Sequence, residues 1–456
     1  MLDVTPMPAA IVAATDLAHH LHPFADMKEL AAGGIRVMTR GEGVYVHDAE
    51  GKRYLDAFAG LWCVNVGYGR REIADAVFAQ MNELPYYNTF FATTTTPTAQ
   101  LAAKICSHAG PDINRVFFTC SGSEANDTWL RMARVYWATR GRPERKIVIS
   151  RHNAYHGSTV AGASLGGMKH MHEQGDLPIP GIVHIGQPYW YGEGGDLDPA
   201  AFGLLRAREL EDKILELGPD RVAAFVAEPI QGVGGVIVPP ETYWPEIQRI
   251  CRKYDVLLAL DEVITGFGRL GSWFGYQHFG LEPDFCVVAK GLSSGYLPIA
   301  GVLVSDRVAD VLVAETGAFH HGFTYSGHPV AAAAALANLK IIEDERLVER
   351  VHDDIGPYFA AALGSLGDHI MVGEVATTGL LGAVQLVLDK EKRQRFSRPA
   401  DIGMIIRNFC FMRGVIVRAA ADRILISPAF TISRSEIDVV VATLREVMDY
   451  VAAELS

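Results

Sequence analysis

The 456-residue chain has no basic excess: 41 Lys and Arg stand against 53 Asp and Glu, a net charge of −12. A broad nucleic-acid footprint needs a basic face to meet phosphate, so that class is excluded, and no basic block interleaved with aromatics offsets the balance. Cysteine is scarce. Cys63, Cys106, Cys120, Cys251, Cys286 and Cys410 form no Cys-x-x-Cys pair, and are expected to be reduced thiols of a cytoplasmic protein, not a disulfide framework or zinc site. No uncharged apolar run reaches the about 18 to 20 residues of a membrane span. The longest candidate, Val330 to Ile342, is Ala-rich, contains Asn338 and Lys340, and predicts a helix opened by Pro329. The first basic side chain, Lys28, comes too late for the charged start of a secretory signal. A Gly-x-Gly-x-x-Gly after a first strand is missing, which weakens a dinucleotide-binding or non-catalytic α/β alternative. His-Glu-x-x-His is missing as well. Histidines occur as His19-His20-x-His22, His170-x-His172 and His320-His321, loop and pocket histidines by this pattern, so no metal is expected.

What is present is enough apolar material, 49% of residues, to build more than one core, and the length favours two lobes. Strand-like runs at Val116 to Thr119, Lys146 to Ser150, Val222 to Ala227, Val256 to Asp261, Phe285 to Lys290 and Ile299 to Ser305 alternate with helical patterns. That alternation predicts an α/β fold with a mostly parallel mixed sheet. Glu124 to Thr139 places Ala125, Trp129, Met132, Ala133 and Tyr136 on one helical face, a core stripe. Val44 to His47 and Arg53 to Leu55 flank a turn and predict a hairpin, and short strands are expected near Gly382 to Leu388 and Val415 to Ala419. The simplest division has a large domain over 71–330 and a small α+β domain built from both termini, 1–70 and 331–456.

Lys290 closes one apolar run and Asp261-Glu262 closes another, so an amine and a carboxylate stand where α/β sheets hold their ligands. Ser121-Gly122-Ser123-Glu124 turns from a strand into a helix, where free backbone N–H groups favour an anion, above all a phosphate. Ser121 with Glu124 also fits a capping box, which alone would explain it. Tyr155, after another strand, brings an aromatic ring to the same edge, although a core tyrosine would look alike. One economical account joins them: pyridoxal phosphate, whose aldehyde takes a lysine, whose ring nitrogen takes a carboxylate, and whose phosphate takes a helix start.

Ala227-Glu228-Pro229-Ile230-Gln231-Gly232, Leu260 to Arg269, Ala289-Lys290-Gly291 and Gly322 to Pro329 resemble the class III aminotransferases. Gly60 to Gly69 and Ser164 to Lys169 resemble the pyruvate-using ω-transaminases within that class. The resemblance implies fold type I and a homodimer, with pairing into tetramers left open, whose active sites lie at the subunit boundary. It implies that Lys290 holds the cofactor and moves the proton, Asp261 pairs with the ring nitrogen, and Tyr155 and Val263 cover the two ring faces. Ser121, Gly122, Ser123 and Glu228 would complete the cofactor site, with Thr324 reaching the phosphate of the partner subunit. Phe24, Leu61, Trp62 and Phe91 would line the substrate pocket, and Arg418 would pair with an acceptor's carboxylate and swing aside for amines. Ile264 replaces the Gln common in other branches, consistent with ω-amine donors.

The implied activity is ping-pong transfer from an ω-amine to pyruvate, giving alanine. The stretch Tyr189 to Asp196 resembles enzymes acting on putrescine and related diamines; β-alanine, taurine, γ-aminobutyrate and arylalkyl amines stay open as donors. An aminomutase or decarboxylase is the alternative outcome on the same cofactor.

Overall fold

The computed structural model describes residues 7–455; residues 1–6 of the expected small lobe lie outside the described residues. Seven strands form a central sheet: β1 Ile113–Thr119, β2 Ile147–Arg151, β3 Ile182–Ile185, β4 Val222–Ala227, β5 Leu257–Asp261, β6 Phe285–Val288 and β7 Ala300–Ser305. Their order is β1-β7-β6-β5-β4-β2-β3, with β7 antiparallel to both neighbours and the remaining pairs parallel. β4, β5 and β6 are buried along their whole length, as strands covered on both faces must be. Alternate residues serve opposite cores: Val287 packs with Trp129 and Met132, while Cys286 and Val288 pack with Ile247, Ile250 and Leu339.

Two smaller sheets flank this one. Met38–Glu42, Tyr45–Asp48 and Arg53–Asp56 form the expected hairpin plus one strand, and Val415–Ile416 joins them parallel to Arg53–Asp56. Val372–Thr378, Leu381–Leu386, Arg423–Ile426 and Arg418–Ala420 form the other. The strand expected over Val415 to Ala419 is therefore two strands in two sheets, with Val417 carrying the chain across. Four strands escape the sequence reading: β3, four residues long with His184 inside it, the half-buried Val372–Thr378, the mostly exposed Met38–Glu42, and the short Arg423–Ile426.

The run predicted to reach Lys290 as a strand stops at Val288. Lys290 instead opens a 3-10 turn, Lys290–Leu292, with φ of 43°, a left-handed conformation uncommon for a side chain that carries a Cβ. Such a residue costs on the order of 1–3 kcal/mol and persists only where its surroundings hold it. Here the holder is Asn338, fully buried on the helix Pro329–Asp344. Its Nδ2 donates to the carbonyls of Gly291 and Leu292, both at 2.9 Å, and its Oδ1 accepts from Ser294 Oγ at 2.6 Å. Gly291 is required by closeness: a Cβ there would lie 2.4 Å from Asn65 Nδ2. All six cysteines are free, and no helix among the described residues is long and apolar enough to cross a membrane.

Replacing Asn338 by Leu keeps the volume but removes a donor from two buried carbonyls and the acceptor of the Ser294 hydroxyl. Equilibrium urea unfolding is expected to show a loss of about 2 to 4 kcal/mol, and a loss below about 1 kcal/mol would show that the clamp is idle.

Candidate active site

Because β1, β2, β4, β5 and β6 run the same way, the segments that follow them meet above one sheet edge. A cavity of about 340 Å³ opens there, lined by Ser121, Gly122, Ser123, Tyr155, Glu228, Asp261, Val263 and Lys290 among others. They come from five different strand ends in the sequence, and the fold converges them.

Asp261, the last residue of β5, is 5% exposed. Asn126 Nδ2 donates to its Oδ2 at 2.9 Å, and His156 Nδ1 lies 2.8 Å from the same oxygen, positioned to donate. The backbone N–H of Val263 donates to Oδ1 at 3.1 Å. Oδ1 keeps a lone pair free for one further donor. Glu228, after β4, is also buried, and accepts from the N–H groups of Tyr155 at 3.0 Å and Gly232 at 2.7 Å. Burial pushes its carboxyl pKa up, opposed by His156.

Lys290 faces this pair of carboxylates from the neighbouring strand end. Burial pushes its amine down to about 8, although Asp261, Cys63 and Glu228 pull the other way; Arg418 adds to the lowering. Its Nζ stands 5.1 Å from the centre of the Trp62 ring. Part of the side chain stays open to the cavity.

The anion cradle is the start of the helix Gly122–Thr139, two residues earlier than its apolar stripe predicts. Ser121 Oγ accepts from Glu124 N–H at 3.2 Å, while the Glu124 carboxylate reaches back to Cys120 N–H at 2.7 Å. The expected capping box is thus displaced by one residue on its return arm. The first-turn amides of Gly122 and Ser123 have no carbonyl of their own helix to bond, and both residues line the cavity.

The substrate-side residues divide. Trp62 is buried, and Arg418 places its guanidinium 4.9 Å from the Trp62 ring and 5.9 Å from Phe58. Phe24 is largely exposed, yet its ring meets Tyr155 edge-on at 6.3 Å between centres. Leu61 and Phe91 are exposed; none of Phe24, Leu61, Trp62, Phe91 and Arg418 is among the residues that line the cavity of this chain, and neither is Thr324, whose carbonyl accepts from Tyr86 Oη at 2.7 Å. The Tyr189 to Asp196 stretch is absent from the cavity wall as well: Tyr189 packs away with Gln385 and Arg423. It therefore carries no structural argument about the donor.

Sequence reasoning missed Asn126 and His156. Asn126 was detectable as a polar residue inside an apolar helical stripe. His156 sat beside a residue already singled out, but nothing in its spacing announced contact with a side chain 105 positions away.

These observations fit pyridoxal phosphate. The cavity offers a depressed amine, a buried carboxylate with a spare acceptor site, and unpaired helix-start amides. Tyr155 and Val263 stand at its wall, and a Cβ on Gly122 would fall 2.9 Å from Val263.

Comparison with known proteins is consistent with this arrangement. Residues 30–448 match the family model of the class-III aminotransferases. The putrescine–pyruvate aminotransferase of Pseudomonas aeruginosa is 56% identical over 435 residues, 95% of either chain. The diaminobutyrate–2-oxoglutarate transaminase of Halomonas elongata is 41% identical over 446 residues, again 95% of either chain. Among solved structures, the ω-transaminase from Pseudomonas jessenii in complex with PMP matches with a TM-score of 0.94 at 41% identity, covering 96% of this chain and 97% of that one.

An amine depressed to about 8 is neutral, hence nucleophilic, above that pH. Capture of added pyridoxal phosphate by cofactor-free protein, followed by stopped-flow absorbance, is expected to quicken as pH rises through about 8 and then level off. A rate still climbing toward about 10.4, the ordinary lysine value, would contradict the assignment.

Proposed function

The chain belongs to the class III aminotransferases, pyridoxal-phosphate enzymes of fold type I, and we propose that it carries the amino group of an ω-amine to pyruvate, with putrescine or a related diamine as donor. The products are an aldehyde and alanine, formed in two half-reactions at one site. The observation that carries the acceptor side is Arg418. Among the described residues it pairs with no carboxylate, and its guanidinium rests on the aromatic faces of Trp62 and Phe58. Burial, with Arg407 nearby, pushes its pKa down, so an incoming anion is the partner it lacks.

A keto acid's carboxylate meets that need through a paired, charge-assisted hydrogen bond. An amine with an uncharged or cationic tail does not, and the arginine then keeps its cation–π contacts. One pocket thereby serves two unlike substrates in turn. The donor assignment rests on the 56% identical relative, whose name specifies putrescine and pyruvate.

When bound, pyridoxal phosphate supplies the electron sink that lets a substrate Cα–H bond ionise. Lys290 Nζ would hold the cofactor and, once freed from it, would carry the proton that leaves the substrate carbon. Asp261, held by Asn126 and His156, would keep the ring nitrogen protonated by supplying a fixed negative charge. Glu228 keeps Tyr155 in place through the tyrosine's backbone N–H. Tyr155 and Val263 would cover the ring and shut out water, and Ser121, Gly122 and Ser123 would hold the phosphate.

The working form we propose is a cytoplasmic homodimer. Phe78, Tyr87, Phe91 and Tyr325 are large apolar side chains that stand exposed, at 72%, 48%, 92% and 58%. A second copy of the chain would cover them. Thr324, remote from its own cavity, would then serve the partner's phosphate, and Phe91 the partner's substrate pocket.

A donor panel run with pyruvate and 2-oxoglutarate as competing acceptors separates the choices, with alanine and glutamate followed independently. Alanine is the expected product with putrescine; dominant glutamate, or carbon dioxide release without a keto acid, would overturn the proposal. Arg418→Ala is expected to raise KM for pyruvate by about ten- to a hundredfold, the worth of a charge-assisted hydrogen bond, and KM for putrescine by less than about twofold. Equal effects on both substrates would make Arg418 a structural residue.

A further inference from the structure

The helix Ala9–His19 ends in a cluster that the active site does not use. Asp16 is half-buried near the end of this helix, and the exposed His20 follows four residues later, so the two share a face. At His20 the backbone leaves the helix for an extended conformation, with φ of −119° and ψ of 126°, which turns His22 back toward the same carboxylate. His20 Nδ1 lies 2.9 Å from Asp16 Oδ1, and His22 Nε2 lies 2.5 Å from Oδ2. The two imidazole rings stand 4.4 Å apart at their centres, tilted by 40°.

We propose that Asp16, His20 and His22 form a binding site for a divalent cation of the zinc type. One potential ligand atom from each residue lies within 4.8 Å of the others. The edge of a tetrahedron with bonds of about 2.0–2.1 Å is about 3.3 Å, so a cation needs only a small outward shift of the two rings. Two imidazole nitrogens and a carboxylate oxygen are donors that suit zinc, and the fourth position faces solvent, where water completes the shell. On binding, each ring turns a lone pair to the ion and carries its proton on the far nitrogen, so the carboxylate exchanges two hydrogen bonds for one metal bond. Calcium and magnesium, which prefer shells of oxygen, fit this set poorly.

The site has a consequence for the cavity mouth. Phe24 follows His22 by two residues, and its ring meets Tyr155. A cation bridging the helix end to His22 ties down the segment that presents Phe24. It acts as a staple between the helix and the active-site entrance.

Calorimetric titration of zinc chloride into the holoenzyme, in a buffer that does not chelate, is expected to show one saturable site per chain. His22→Gln and Asp16→Asn each remove one ligand while leaving the fold's core untouched. Each is expected to weaken that binding by at least about tenfold, since even outer-sphere partners of a metal matter to that extent. Zinc is also expected to slow amide hydrogen exchange over residues 20–24 in the parent and not in either variant. Unaltered zinc binding in both variants, or no saturable site in the parent, would overturn the proposal. Neither readout depends on amino transfer, so the outcome is independent of the catalytic assignment.

Discussion

A carboxylate with almost no access to water must be held by donors, and the contacts to Asp261 organise the whole site. Its three donors come from three places: Asn126 on the helix after β1, His156 in the loop after β2, and the N–H of Val263 just past β5. None of the three is adjacent to another in sequence. Their meeting requires β1, β2 and β5 to point the same way, which is the sheet topology itself. The charge so fixed reaches Lys290 on the next strand end, where it partly offsets the burial that would otherwise depress the amine further.

The cost of this placement appears in the backbone. Lys290 adopts a left-handed conformation, and the turn behind it survives because Asn338, on the helix Pro329–Asp344, binds two of its carbonyls. The Lys290 turn is thus anchored by a buried polar residue in an Ala-rich helix. Strain at a functional position with compensation from elsewhere is a known pattern. Arg269 plays a comparable part between the sheets: fully buried, it donates to Asn65 Oδ1 at 2.7 Å and to the Pro428 carbonyl at 2.5 Å. N-terminal and C-terminal segments are thereby tied to the loop that follows Asp261.

Much of the central sheet was legible because strands buried on both faces write continuous apolar runs, and turn residues mark their ends. Val222–Ala227 is read to the residue. The short strand Ile182–Ile185 was not, because four residues with a histidine among them carry no period. The split at Val417 was invisible for a different reason: one extended run can serve two sheets, and only tertiary pairing decides. For the site, strand-end residues such as Lys290 and Asp261 stood out by their position after apolar runs. Asn126 and His156 did not, since their role lies in contacts with a side chain more than a hundred positions away. The substrate side depended on resemblance throughout, because Phe24, Leu61 and Phe91 are exposed on the single chain and their surroundings include whatever covers them.

The central claim is that Lys290 is the amine through which this fold holds pyridoxal phosphate. Borohydride reduction of the yellow holoenzyme, followed by digestion and tandem mass spectrometry, tests it most directly. The account predicts one cofactor-derived modification per chain, located on Lys290 in the peptide running through Ala289-Lys290-Gly291, and none after Lys290→Ala. A modification located at any other lysine, or its persistence in that variant, would contradict it.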